Sequence, residues 1–256
     1  MTIFYFTSTG NCLSVAKKIG NGNAKLISIP QVIGKPGLSF ADDVIGVIFP
    51  IYGFGLPKMV KSFLETAKLQ GSYMFSIGTY GNLPGACMMN VQKLARQHGY
   101  KFDYAESLLM VDNYLPGFDI SDQTAKLPKK RVDENIARII TDIQNRKTLE
   151  VKAGFGWRIT TVMIKGGEKF LLNSKQGQRY EINQDCNKCG TCAKVCPAGN
   201  ISVTDKVIFA DQCEGCLGCV HLCPKNAIHM KNEKNAVRWL NPDVSLIEMI
   251  TANNRN

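Results

Sequence analysis

Cys186, Cys189, Cys192 and Cys196 fall within eleven residues, and Pro197 follows the last of them. The pattern recurs 27 residues later as Cys213, Cys216, Cys219 and Cys223, followed by Pro224. Both copies read C-x2-C-x2-C-x3-C-P, in which three closely spaced thiols wrap one iron-sulfur cubane and the fourth reaches the other. Cys186, Cys189, Cys192 and Cys223 are therefore expected to hold one [4Fe-4S] cluster, and Cys213, Cys216, Cys219 and Cys196 the second. Zinc ribbons space two cysteine pairs about 12 to 20 residues apart, a different pattern. A disulfide framework belongs to short secreted chains, whereas this one has 256 residues.

From residue 180 to about 231 the repeat resembles the two-cluster bacterial ferredoxins. That resemblance implies relay of single electrons at low potential, tuned by amide hydrogen bonds to sulfur.

A second group lies at the start of the chain. The apolar run Thr2 to Phe6 leads into Thr7, Ser8, Thr9, Gly10, Asn11 and Cys12, and then into helical spacing through Val15 and Ile19. A strand, a hydroxyl-rich turn and a helix N-terminus make an anion site, because free amides and the helix dipole face the ligand. The turn contains no Lys or Arg, and neither a P-loop nor a G-x-G-x-x-G pattern is present there.

Further strands are expected at 25–29, 44–49, 73–79 and 104–111. Helices are expected from Pro57, over Pro84 to His98, and along the stripe Ile136, Ile139, Ile140 and Ile143. Five strands alternating with helices predict an α/β fold with a doubly wound parallel sheet, whose ligand sits beyond the carboxyl ends of the strands. The loops there are 7–12, then Pro50 with Tyr52, Gly53, Phe54 and Gly55, then Thr79, Tyr80 and Gly81.

These three loops resemble those of flavodoxins. The resemblance implies that Thr7, Thr9, Gly10 and Asn11 hold the FMN phosphate, with Cys12 standing where a hydroxyl is usual. It also implies that Tyr52 or Phe54, and Tyr80, flank the isoalloxazine ring. Residues 50–57 and 79–87 contain no Asp or Glu, so the second reduction step of the flavin is expected to be less negative than in acidic flavodoxins. Cys12 and Cys87 read as buried inert thiols, and spacing assigns no role to His98, His221 or His229.

The whole chain resembles the EFR family of flavodoxin-ferredoxin fusion proteins of anaerobes. The expected organisation is a flavodoxin-like FMN domain at 1–148, a connector at 149–179 with a helix over Trp157 to Leu172, and a smaller α+β two-cluster domain at 180–256 with a C-terminal extension. The resemblance implies an oxidoreductase linking FMN to the clusters. A pure carrier, or a flavoenzyme reducing an organic substrate, stands as the alternative, and no catalytic residue is singled out.

Formal charge is +10. Two oxidised clusters on thiolates and a flavin phosphate would leave about +4. Lysines are scattered, so nucleic acid is not an expected partner; a redox protein or small acceptor is. No apolar run is long enough to span a membrane and no leader pattern opens the chain, so a cytoplasmic protein is expected. Oligomeric state is left open.

Overall fold

The computed structural model describes residues 1–152 and 174–255; the helix expected over Trp157 to Leu172 lies outside the described residues. The first half contains β1 (Thr2–Tyr5), α1 (Asn11–Gly20), β2 (Lys25–Ser28), β3 (Val44–Pro50), α2 (Lys58–Thr66), β4 (Tyr73–Tyr80), α3 (Cys87–Gln97), β5 (Tyr104–Leu109) and α4 (Val132–Gln144). All five strands run parallel in the order β2-β1-β3-β4-β5. This is the flavodoxin-like doubly wound arrangement, and its switch point lies between β1 and β3.

The central strands are buried along nearly their whole length, as a sheet covered on both faces requires. One face packs α1 and α4 through Val15, Ile139 and Ile143. The other packs α2 and α3 through Val60, Phe63, Leu64 and Val91. Gly46 leaves room for the Phe75 ring that lies over it, since a Cβ there would sit 2.1 Å from that ring.

Two elements differ from expectation. Helix α3 begins at Cys87 and not at Pro84, because Gly85 adopts φ +59° and breaks the helical path. Strand β5 ends at Leu109: Met110 still donates its N–H to Tyr80 O at 2.7 Å, but the chain then leaves the sheet as a loop. The sheet edge also reaches past residue 148. Leu149 bridges to Tyr104, and Val151 N–H donates to Gln92 Oε1 at 3.2 Å.

The second half contains β6 (Tyr180–Ile182), α5 (Thr191–Lys194), β7 (Ile201–Val203), β8 (Val207–Phe209), α6 (Gly218–His221) and β9 (Ile228–Met230). Strands β7 and β8 pair antiparallel, as do β6 and β9. The halves share core: Cys216 belongs to the buried cluster that contains Phe4 and Phe6, and Val195 and Leu222 belong to the one that contains Leu13, Val15 and Ala16 of α1.

The chain after Arg238 returns to the first half. Helix α7 (Leu246–Asn253) is closed at its start by a capping box between Ser245 and Glu248. Lys17 pairs with Glu248 at 2.7 Å, and Ser28 Oγ donates to Ala252 O at 2.6 Å. Among the described residues no helix is long and apolar enough to cross a membrane.

Candidate functional site

The loops after β1, β3 and β4 open into one cavity at the carboxyl ends of the strands. Thr7, Ser8, Thr9, Asn11, Cys12, Pro50, Tyr52, Gly53, Phe54, Thr79, Tyr80 and Gly81 line it. Gly10 and Gly55 do not line it; they shape the loops. Gly10 sits at φ +91° ahead of α1, a backbone state that side chains other than glycine rarely adopt. Tyr52 and Gly55 exchange both backbone hydrogen bonds, at 3.0 and 2.9 Å. Between them Gly53 and Phe54 both hold positive φ, +53° and +71°, the geometry of a two-residue type I′ hairpin. Phe54 is thus held in a strained state at the cavity wall.

The first loop is equipped for an anion. Thr7 Oγ1 is buried with no hydrogen-bond partner. The N–H groups of Ser8, Thr9 and Gly10 meet no acceptor among the described residues, and those opening α1 have none within the helix. Asn11 lines the cavity, and its Oδ1 accepts from Trp239 Nε1 and Asn241 Nδ2, both at 3.1 Å. Cys12 Sγ lies 3.2 Å from Thr79 Oγ1, and burial pushes the thiol up to about 12. Cys12 is therefore a neutral wall of the cavity. Gly81 is required by close approach, since a Cβ would fall 2.2 Å from Asp112 Cα.

The loop after β5 supplies Asp112, Asn113, Tyr114 and Phe118, which sequence spacing did not single out. Asn113 Nδ2 donates to Thr9 Oγ1 at 2.6 Å. Asp112 brings a carboxyl to the cavity that the acid-free loops 50–57 and 79–87 lack, and burial holds its pKa above the usual carboxylate range. Lys130 stands behind the third loop, donating to Gly81 O at 3.2 Å and Gln123 Oε1 at 2.8 Å. The only sequence signal for this fourth loop was its place after the last strand.

The far wall of the cavity comes from the second half: Gln176, Gly215, Cys216, Leu217 and Met230. Tyr52 ties the second loop to the first. Its hydroxyl lies 2.8 Å from Ser8 Oγ, and burial, with Cys216 nearby, raises its pKa well above the ordinary value. Gly218 lets α6 lie against the first loop, where an added Cβ would meet Ser8 O at 3.1 Å.

The eight repeat cysteines surround two small cavities. Cys186, Cys189, Cys192 and Cys223 line one; Cys196, Cys213, Cys216 and Cys219 line the other. No disulfide forms among them. Among the described residues no three His, Cys, Asp or Glu side chains are grouped closely enough to hold a single ion.

The backbone repeats with the sequence. Positive φ recurs at Lys188 and Gly215, at Gly190 and Leu217, and at Gly199 and Asn226, each pair 27 residues apart. Asn200 N–H donates to Cys196 Sγ and Ala227 N–H to Cys223 Sγ, both at 3.3 Å. Burial raises Cys216 and Cys219 well above the ordinary thiol range, and the other thiols of their quartet add to it. Buried thiolates at this spacing need a bound cationic centre to hold their charge.

His221, left without a role in the sequence, ties the halves together. Its Nε2 donates to Asn113 O at 2.8 Å and its Nδ1 accepts from Trp239 N–H at 3.1 Å. Burial lowers its pKa to about 4, so the ring is neutral with the hydrogen on Nε2. Across the same boundary Glu214 accepts from Met59 N–H at 3.3 Å, near the start of α2.

Residues 179–224 match a family model described as a 4Fe-4S dicluster domain. The chain is 48% identical over 46 residues to a polyferredoxin protein MvhB of Methanothermus fervidus, covering 18% of this chain and 11% of that one. It is 40% identical over 55 residues to the pyruvate synthase subunit PorD of Methanocaldococcus jannaschii, covering 20% of this chain and 64% of that one. The match thus spans a small part of the first relative's length. A solved flavodoxin from the domain Archaea is 18% identical, with a TM-score of 0.32, over 55% of this chain and 98% of its own.

Proposed function

We propose that this chain is an electron-transfer oxidoreductase that holds FMN in the four-loop cavity and one [4Fe-4S] cluster in each cysteine quartet. The observation that carries the reading is Cys216, which lines both the cavity and the second quartet. Bound FMN supplies the capacity to take two electrons together and release them singly, while each cluster carries one. The chain's own task is placement. Thr7 Oγ1 and the free amides of residues 8–10 are donors of the kind a phosphate needs, and Gly81 lets backbone come close to a flat ring. Fusion replaces diffusional encounter between donor and acceptor by a fixed separation.

The other quartet faces outward. Cys189 is exposed, and Lys188, Lys194 and Lys225 near it are exposed with no carboxylate partner among the described residues. An acidic redox protein fits this rim by charge. A second reading, reduction of a small flat organic acceptor, is favoured by the apolar cavity rim of Phe54, Leu83 and Phe118, in which Leu83 is 56% exposed. The domains proposed are a flavin unit reaching to Val151 and a cluster unit from Tyr180 to Met230, with the tail counted structurally with the first.

Anaerobic isolation followed by metal analysis and flavin extraction tests the cofactors. The expected holoprotein carries roughly eight irons and one FMN. Zinc in place of iron, or no flavin retained, would overturn the reading.

A further inference from the structure

The residues after the cysteine repeat hold the anion loop from behind. Asn241 N–H donates to Thr9 O at 2.9 Å, and Asn253 Nδ2 donates to Thr7 O at 3.0 Å. Asn241 Nδ2 and Trp239 Nε1 occupy Asn11 Oδ1. Asn241 is 5% exposed and every polar atom it has is used: Oδ1 accepts from Asp243 N–H and its carbonyl from Val244 N–H, both at 3.0 Å. The fit is close at Gly10, where an added Cβ would meet Asn241 Cβ at 3.0 Å and Val244 Cβ at 3.1 Å.

These contacts set the direction of the loop's donors. A trans peptide is planar, so its C=O and N–H point opposite ways. With the carbonyls of Thr7 and Thr9 drawn toward the tail, the N–H groups of Ser8 and Gly10 point away from it. The cavity is lined by Thr7, Ser8 and Thr9 and by neither Asn241 nor Asn253. The tail therefore fixes the amides on the cavity side before a ligand arrives, so that binding need not supply the ordering.

We infer that residues 239–253 are a clamp that pre-shapes the phosphate site, with Asn241 as its positioning residue, so that phosphate-dependent flavin affinity depends on a segment beyond the cluster-binding repeat. This rests on the FMN reading above. It is tested by titrating flavin-stripped, iron-loaded wild type, Asn241→Ala and Trp239→Phe with FMN and with riboflavin, which has the ring but no phosphate, following flavin fluorescence and iron content. The clamp requires each variant to weaken FMN at least tenfold while riboflavin affinity and iron content stay at wild-type values. Unchanged FMN affinity would overturn it, and so would an equal loss for both flavins, which marks general loosening. Trp239→Phe removes one donor and keeps an aromatic ring, so it remains informative if Asn241→Ala does not fold. Wild type that binds neither flavin would instead refute the FMN reading itself.

Discussion

At the scale of single residues, Thr7 separates binding from folding. Its buried hydroxyl makes no bond within the protein, so Thr7→Val removes a group that costs the fold something and gives it nothing. Melting temperature should hold or rise. A hydrogen bond to a charged ligand contributes about 1.5 to 3 kcal/mol, so FMN affinity should fall roughly ten- to hundredfold. Fluorescence titration beside a thermal melt checks both; parallel loss of the two would show that Thr7 is structural. The hydroxyl run was legible in the sequence because its chemistry is local. Asn113, Asp112 and Lys130 were not: the first two reach the cavity only through the crossing of β5, and Lys130 backs the third loop only through the packing of a distant helix turn. Asp112 also bears on the flavin's potential: a carboxyl at the cavity opposes the neutral-loop expectation, by an amount set by its protonation.

At the scale of elements, the strands and most helices were legible from apolar runs and helical stripes, since burial on both sheet faces leaves a strong pattern. Helix α3 was misread at its start because a positive φ at Gly85 is a backbone state that periodicity does not encode. The docking of α7 was invisible for another reason: its hydrogen-bond partners Ser28 and Gln31 are 220 or more residues away in the chain. Its electrostatics are testable. Lys17, with the Ser245 amide and hydroxyl, pulls Glu248 down to about 2. A depressed carboxyl contributes stability above its unfolded value near 4.5, and that contribution disappears as pH falls through about 2. Asp243, drawn down by Lys18 and Ser14, has the same sign. The Lys17 and Glu248 side chains are each 39% exposed, so the pair contributes less than about 1 kcal/mol. Glu248→Gln should lower the melting temperature by about 2 °C at pH 7, with the gap closing below pH 3. A gap independent of pH would place the effect elsewhere.

At the scale of the whole molecule, the cysteine repeat announced the cluster unit on its own, because thiol spacing is set by cluster geometry and needs no tertiary context. The orientation of that unit against the sheet was not legible, since it depends on Gly218, His221, Glu214 and Asn113 meeting across the boundary. The joint wall formed by Cys216 has a kinetic consequence. Because the two cavities share that wall, passage between the flavin cavity and the inner quartet should be indifferent to solvent viscosity. Delivery at the lysine-rimmed outer quartet involves encounter and should slow with glycerol and with salt. Flash photoreduction in glycerol and salt series resolves the two phases; an inner phase that tracks viscosity would mean that the two halves must first swing together.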